Sequence, residues 1–311
     1  MKLANTIGSV YNYTTSPADA VRLHADTGFR HLDFSFYDFY KKGHPFLSDD
    51  WMAQIKDAEK AAQQSGFDFV QGHAPGANFM DDNTDPENTF LSIVRSIEAS
   101  DYLGIRNLVI HTGSCANILY PNGRGAYFRR NREYLERLVP YLEKFNVNLL
   151  VENSAEKNMG NRYFLMTAQE MVDFVREFDH PLVHICWDVG HANMRGTNPY
   201  TDITTLGSEL YALHIQDNYG VNDDHTAPFM GTLNIDAVMQ GLQDIGYNGY
   251  FTFEADNILR PMKAWPHKRR VFDLPRESRL QQPSAELIKE TLCLLYSIGK
   301  HILTQYDCME E

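Results

Sequence analysis

Asp188 and His191 stand three residues apart in Cys186-Trp187-Asp188-Val189-Gly190-His191, directly after the apolar run Leu182–Cys186. An acid and an imidazole just past the end of a buried strand suit a divalent metal site. The placement recurs along the chain. His73, His111, Glu152, His214 and Glu254 each follow a short apolar run, and Asp223 and His225 lie in the loop after His214. Burying any of these groups unpaired costs several kcal/mol, whereas a cation neutralises the carboxylates and uses the imidazole lone pairs.

The positioning elements alternate short apolar runs with longer helical patterns, the signal of βαβ units and a parallel sheet. Strands are expected at Ile7–Tyr11, Phe29–Phe34, Phe67–Gly72, Asn107–Ile110, Asn148–Val151, Leu182–Cys186, Leu210–Leu213 and Tyr250–Phe253. Helices are expected from Ser16-Pro17 to about Thr27, over Asp50–Ser65 and from Pro86 to Leu103. Others are an arginine-rich stretch ending at Phe145, then Thr167–Phe178, Asp236–Ile245 and Ser284–Thr304. Thr167 with Glu170 three residues on reads as a capping box. No break in composition suggests a linker. Residues 1–311 are therefore expected to form one (β/α)8 TIM barrel domain, with a long loop at 256–283 before the last helix. A doubly wound sheet usually has a glycine-rich turn after strand one, and Ser9–Ser16 contains no glycine. In a barrel the C-terminal strand ends share one rim, so the metal-capable residues converge there.

Composition narrows the function. Hydrophobic residues make up 43%, enough for a sizeable core, and the net charge of -13 argues against a nucleic-acid partner. The four cysteines form no CxxC pair, which fits reduced cytosolic thiols. The N-terminus lacks the apolar core of a signal peptide. No apolar run of ~18 residues is present, so no membrane partner and a cytoplasmic location are expected.

Glu152 and Glu254 belong to strands five and eight, across the barrel mouth from each other. Two carboxylates flanking a metal-bound substrate can serve as base on one face and acid on the other. A divalent ion chelated by a carbonyl and a neighbouring hydroxyl stabilises the enediolate formed when the adjacent carbon loses its proton. That is the chemistry of sugar epimerisation and aldose–ketose isomerisation. A keto-sugar lyase or dehydratase starts from the same enediolate. One divalent ion is expected, Mn or Zn first, with Mg and Co also compatible with mixed N/O ligands.

The segments Val151-Glu152-Asn153, Trp187–Ala192, Leu213–Asp217, Asp224–Thr232 and Gly249–Glu254 resemble the strand motifs of the xylose-isomerase-like barrel superfamily. It includes sugar phosphate isomerases/epimerases, ketose 3-epimerases and endonuclease IV. The resemblance implies metal ligation by Glu152, Asp188, His214 and Glu254, an acid–base pair of Glu152 and Glu254, and substrate contact by His191. His73, His111, His225 and Asn153 are expected around the substrate as well, with Asp223 and His225 as further metal candidates. Two departures stand out. Asn218-Tyr219-Gly220 occupies the region where ketose 3-epimerases carry an arginine, and Asn158 replaces a second glutamate. The additional ligands of endonuclease IV resemble His73, His111, His191, Asp223 and His225, so a multi-zinc phosphodiesterase is an alternative that the acidic charge opposes. Asp256–Pro283 is the one basic stretch, with Arg260, Lys263, Lys268, Arg269, Arg270, Arg276 and Arg279 around Trp265. It reads as a flap that recognises a substrate anion or meets a second subunit in a homo-oligomer.

Overall fold

Eight short strands alternate with helices in a computed structural model that describes residues 1–310. They are β1 (Lys2–Thr6), β2 (His31–Ser35), β3 (Asp68–His73), β4 (Asn107–Ile110), β5 (Asn148–Glu152), β6 (Val183–Asp188), β7 (Leu210–His214) and β8 (Tyr250–Phe253). All pair in parallel, in the order β7-β6-β5-β4-β3-β2-β1-β8. Ile215 N donates to Thr252 O at 2.8 Å and Glu254 N to Ile215 O at 3.0 Å, which brings the last two strands together. The result is a nearly closed (β/α)8 barrel.

The surrounding helices are α1 (Pro17–Leu23), α2 (Ala53–Ser65), α3 (Pro86–Tyr102), α4 (Arg124–Leu135), α5 (Val139–Phe145), α6 (Glu156–Met159), α7 (Ala168–Phe178), α8 (Val189–Arg195), α9 (Pro199–Leu206), α10 (Ile235–Asp244) and α11 (Ala285–Gln305). Local chemistry sets several boundaries. Thr167 and Glu170 form the expected capping box on α7, and Ser16 caps α1 through Asp19 N at 3.1 Å. Gly66 ends α2 with φ 71°, a left-handed conformation that glycine adopts without strain.

Two expectations are corrected and one stretch without an expected element gains two helices. The first strand is Lys2–Thr6, not Ile7–Tyr11. Ile7–Tyr13 instead coils into a 3-10 turn that Thr6 caps through Gly8 N at 3.2 Å, while Leu3 and Ala4 align with Phe251 and Thr252 of β8. The polar Asn5 and Thr6 mask this strand in the sequence: Thr6 faces the barrel interior, and Asn5 turns to the opposite face, where it meets His24 at the end of α1. The arginine-rich helix breaks between α4 and α5, where Pro140 lacks the N–H and crowds the carbonyl of Glu136. The chain between β6 and β7 folds into α8 and α9, which no periodic apolar pattern announced.

The strand period of two explains where the site sits. Val109, Leu150, Cys186 and Ala212 point inward from β4 to β7 and form a small buried apolar plug. Two residues further on in each strand direction are His111, Glu152, Asp188 and His214, on the same inward face one layer higher. Gln71 and Thr252 stand in the same relation to His73 and Glu254. The plug seals the barrel and leaves the polar layer above it as the floor of the rim. Among the described residues no helix is long and apolar enough to cross a membrane.

Candidate metal centre

Glu152, Asp188, His214 and Glu254 each offer a ligand atom, and the four atoms lie within 4.8 Å of one another. His214 Nδ1 is 2.9 Å from Glu152 Oε1 and 3.4 Å from Glu254 Oε2. Two further clusters flank this one with the same spacing. His73 and His111 gather on Glu152, and His191 and His225 gather on Asp223. The candidate residues of the rim are thus brought together in three groups, with Glu152 shared by two of them.

Whether these groups suit a cation is tested by their unmet hydrogen bonds. Glu152 Oε2 and Asp188 Oδ2 are buried and accept no hydrogen bond. The ring tautomers sharpen the point. His73 Nδ1 lies 2.7 Å from the Ala74 carbonyl, to which only an N–H can donate. A neutral His73 therefore turns an Nε2 lone pair toward Glu152 Oε2, 3.3 Å away. His191 Nδ1 faces Asn153 O at 3.0 Å and His225 Nδ1 faces Glu254 O at 2.7 Å, so both direct Nε2 at Asp223, at 3.0 and 3.3 Å. Lone pair against carboxylate repels unless a proton or a cation lies between. An imidazole held at one nitrogen by a carbonyl, with the other free, is the usual support of a metal ligand. The donor set fits a divalent ion.

Charge balance without an ion agrees. Burial disfavours a charged His191, yet Asp188 and Asp223 drive its pKa up to about 10. Burial likewise opposes ionisation of Glu152, but His214 and His111 outweigh it and hold the carboxyl well below its usual range. Burial lifts Glu254 to about 7, against the pull of His214 and with the help of Glu152. The two glutamates of one cluster are thus pushed in opposite directions.

Several supporting residues carried no signal of their own in the sequence. Gln216, fully buried, donates from Nε2 to Asp223 Oδ1 at 2.8 Å and to Asp188 Oδ1 at 3.3 Å, and so links two clusters. Its position two residues past His214, on the same strand face, was the available clue. Asn158 donates to Asp223 Oδ2 at 3.0 Å, so the amide that replaces the second glutamate supports the Asp223 cluster. Asp217 shapes the loop that carries Asp223 and His225, accepting from Asn218 N at 2.7 Å, Leu233 N at 2.9 Å and Gly231 N at 2.9 Å. Asn153, expected beside the substrate, is committed to the backbone of Asp188, accepting from its N at 2.7 Å and donating to its O at 3.0 Å. It joins β5 to β6 from a fully buried position.

Above the floor opens a cleft of about 700 Å³, whose lining includes His111, Glu152, His191, Asp223, His225 and Glu254. The flap at 256–283 contributes Asp256, Asn257, Ala264 and Trp265 to that lining, and none of its lysines or arginines. Arg260 and Arg269 are turned to backbone carbonyls, Arg260 to Asp224 O at 2.6 Å and Arg269 to Arg260 O at 2.9 Å. The expectation that this basic stretch presents an anion site to the substrate is therefore corrected: these two cations fasten the flap.

A family model described as xylose isomerase-like TIM barrel matches residues 21–273. The chain belongs to this family. Within the xylose isomerase-like barrels, D-psicose 3-epimerase of Ruminiclostridium cellulolyticum is 27% identical over 72% of this chain and 74% of its own length. The uncharacterised protein MJ1311 of Methanocaldococcus jannaschii is 25% identical, and the match spans 61% of this chain and 64% of that relative. The crystal structure of the IolI protein with a bound zinc atom superposes with a TM-score of 0.72, at 16% identity, covering 98% of this chain and 99% of that one. The likeness to the IolI structure shows the shared fold, and one of these relatives, D-psicose 3-epimerase, is named for the epimerisation of a sugar.

Proposed function

We propose that this barrel is a divalent-metal-dependent epimerase or isomerase of a sugar or sugar derivative that works by moving a carbon-bound proton. The observation that carries the reading is the placement of two carboxylates, Glu152 on β5 and Glu254 just past β8, in one four-donor cluster with Asp188 and His214. Those four residues would hold the ion, Mn or Zn being the expected choice. A divalent ion there supplies Lewis-acid polarisation of a carbonyl. One glutamate takes the proton from the carbon beside that carbonyl, and the other returns a proton to the opposite face. His191 and His111, at the cleft surface, orient the sugar hydroxyls. A relative named as a 3-epimerase of a ketose supports the substrate class.

The test is exchange of a carbon-bound ketose proton with D2O, followed by NMR on the Mn-loaded protein. Glu152→Gln and Glu254→Gln are expected to fold normally and each to lose at least ~100-fold in exchange rate. Undiminished exchange in both variants would overturn the acid–base assignment. A lyase or dehydratase on the same site would show proton loss followed by an unsaturated product.

A second reading is favoured by one observation, the two flanking clusters with their Nε2 atoms turned to carboxylates. A multi-zinc phosphodiesterase would use all three groups. Elemental analysis of untagged, chelator-free protein separates the readings. About one ion per chain supports the sugar site. Three zinc ions together with phosphodiester hydrolysis would displace it.

A further inference from the structure

We infer that Arg162 reads a carboxylate on the substrate, so that the ketose handled by this barrel is a sugar acid. The inference rests on the sugar-epimerase reading and adds what holds the end of the molecule remote from the ion.

The charges of the cleft point to it. Of the acids in its lining, Glu152 and Glu254 are given to the ion, and Asp223 to the rings of His191 and His225. Asp38 is paired with Lys41 Nζ at 2.6 Å, and Asp256 Oδ1 lies 3.4 Å from His225 Nδ1. Arg162 is the one guanidinium in the lining, and among the described residues no carboxylate forms an ion pair with it. The charge left without a partner is positive, which calls for an anion from outside the chain.

The mounting of Arg162 leaves a fork free. The backbone on both sides of it is tied to the loop after β4, with Tyr120 N donating to Asn161 O at 3.1 Å and Tyr163 N to Ile118 O at 2.7 Å. Arg162 Nε donates to Met159 O at 3.0 Å. That bond occupies the Nε edge of the guanidinium and leaves the Nη1–Nη2 edge, which has no hydrogen bond to the described residues. Two parallel N–H groups on one edge match the two oxygens of a carboxylate. An arginine already anchored at Nε also loses less rotamer freedom on binding than a loose one.

Its position selects the orientation. Met159 holds Arg162, and the neighbouring Asn158 donates to Asp223 Oδ2 at 3.0 Å, so the guanidinium is mounted on the segment that abuts the metal clusters. Asp38 follows β2 and Asp256 follows β8, the two neighbours of β1, whereas Arg162 follows β5 on the opposite side of the barrel. A carboxylate is drawn to the β5 side of the cleft and repelled from the β1 side. A phosphate fits less well, because its tight binding draws on several charge-assisted donors. The lining offers one, and Arg260 and Arg269 of the flap are turned to backbone carbonyls.

The experiment compares kcat/KM for proton exchange in D2O on the Mn-loaded protein with three probes: fructose, fructose 6-phosphate, and fructose oxidised to a carboxylate at its sixth carbon. The carboxylate is expected to exceed each of the others by at least ~10-fold, equivalent to about 1.4 kcal/mol. Its preference over fructose is expected to fall about 10-fold in Arg162→Gln, the loss of a charged hydrogen-bonded pair. Arg162→Lys, which keeps a charge without the fork, is expected to lose at least ~3-fold of it and decides the matter if Arg162→Gln fails to fold. Equal rates for fructose and the carboxylate, a preference for the phosphate, or an unchanged preference in the folded variants would overturn the assignment of Arg162 and leave the epimerase reading standing. If no ketose exchanges, the epimerase reading fails, and calorimetric titration with the same probes decides the site. Arg162-dependent binding of the carboxylate ~10-fold tighter than fructose sustains it, and equal binding overturns it.

Discussion

Gly190→Ala tests whether Gln216 is the clamp between the Asp188 and Asp223 clusters. Gly190 is the second residue of α8 and does not have a positive φ, so its backbone does not require glycine. On helix propensity alone, alanine here stabilises by up to about 1 kcal/mol. The structure predicts the reverse. A Cβ at residue 190 would lie 2.1–2.4 Å from the carboxamide atoms of Gln216, which are fully buried. Overpacking of this kind costs about 1–3 kcal/mol. Displacing the amide also weakens its bonds to two carboxylates, each worth about 1.5–3 kcal/mol. Net of the helix gain, a loss of roughly 2–4 kcal/mol is expected, or a Tm lower by roughly 3–6 °C for a chain of this length. In a Gln216→Ala background the obstacle is gone. Gly190→Ala should then be neutral or stabilising, giving a coupling of about 3 kcal/mol in a double-mutant cycle. Denaturation would be followed with a chelator present, so that ion binding does not enter the comparison. An equal cost of Gly190→Ala in both backgrounds would refute the clamp.

Two further predictions concern groups away from the ion. His24 is fully buried, facing Ala20 O from Nδ1 at 2.8 Å and Asn5 Nδ2 from Nε2 at 2.9 Å, and burial lowers its pKa from 6.5 to about 4. The fold thus favours the neutral ring, whose contribution is complete above about pH 6.5, declines as the pH falls and is lost by about pH 4. About 3 kcal/mol of stability is at stake. Urea unfolding of the native chain and of His24→Gln across that window should show a pH slope that the variant lacks; parallel curves would disprove it. Asp217→Ala leaves three loop N–H groups without their carboxylate and should cost about 1–3 kcal/mol. Hydrogen exchange should then quicken across residues 217–233, and unchanged protection there would remove Asp217 from its role in the loop.

The fold was legible because the barrel's outer packing writes itself into the chain. Asn107–Ile110 and Tyr250–Phe253 coincide with β4 and β8, short apolar runs bounded by polar residues. β1 escaped because polar residues interrupt both of its faces. Thr6 shares the inward face with Ala4, and Asn5, on the opposite face, bonds Ser9 Oγ at 3.3 Å and meets His24 at the end of α1, so neither face carries an apolar period. α8 escaped for a related reason. Its residues Val189–Ala192 are buried on several sides at once, and a helix of seven residues leaves no room for an amphipathic period.

At the site, residue type at strand ends was sufficient to collect the acids and imidazoles, because the period of two in each strand fixes which residue crowns the plug. It could not sort them into clusters. That division depends on which nitrogen of each ring the backbone occupies, and Ala74 O, Asn153 O and Glu254 O decide it for His73, His191 and His225. Nor could it find Gln216. A neutral amide between Asp188 and Asp223 donates to both carboxylates without cancelling their charge, so each retains its full negative field for a cation. A lysine in that place would neutralise the site, and an apolar residue would leave the two acids to repel each other across the gap. Glutamine satisfies both demands, and the absence of a side chain at Gly190 is what lets it lie there.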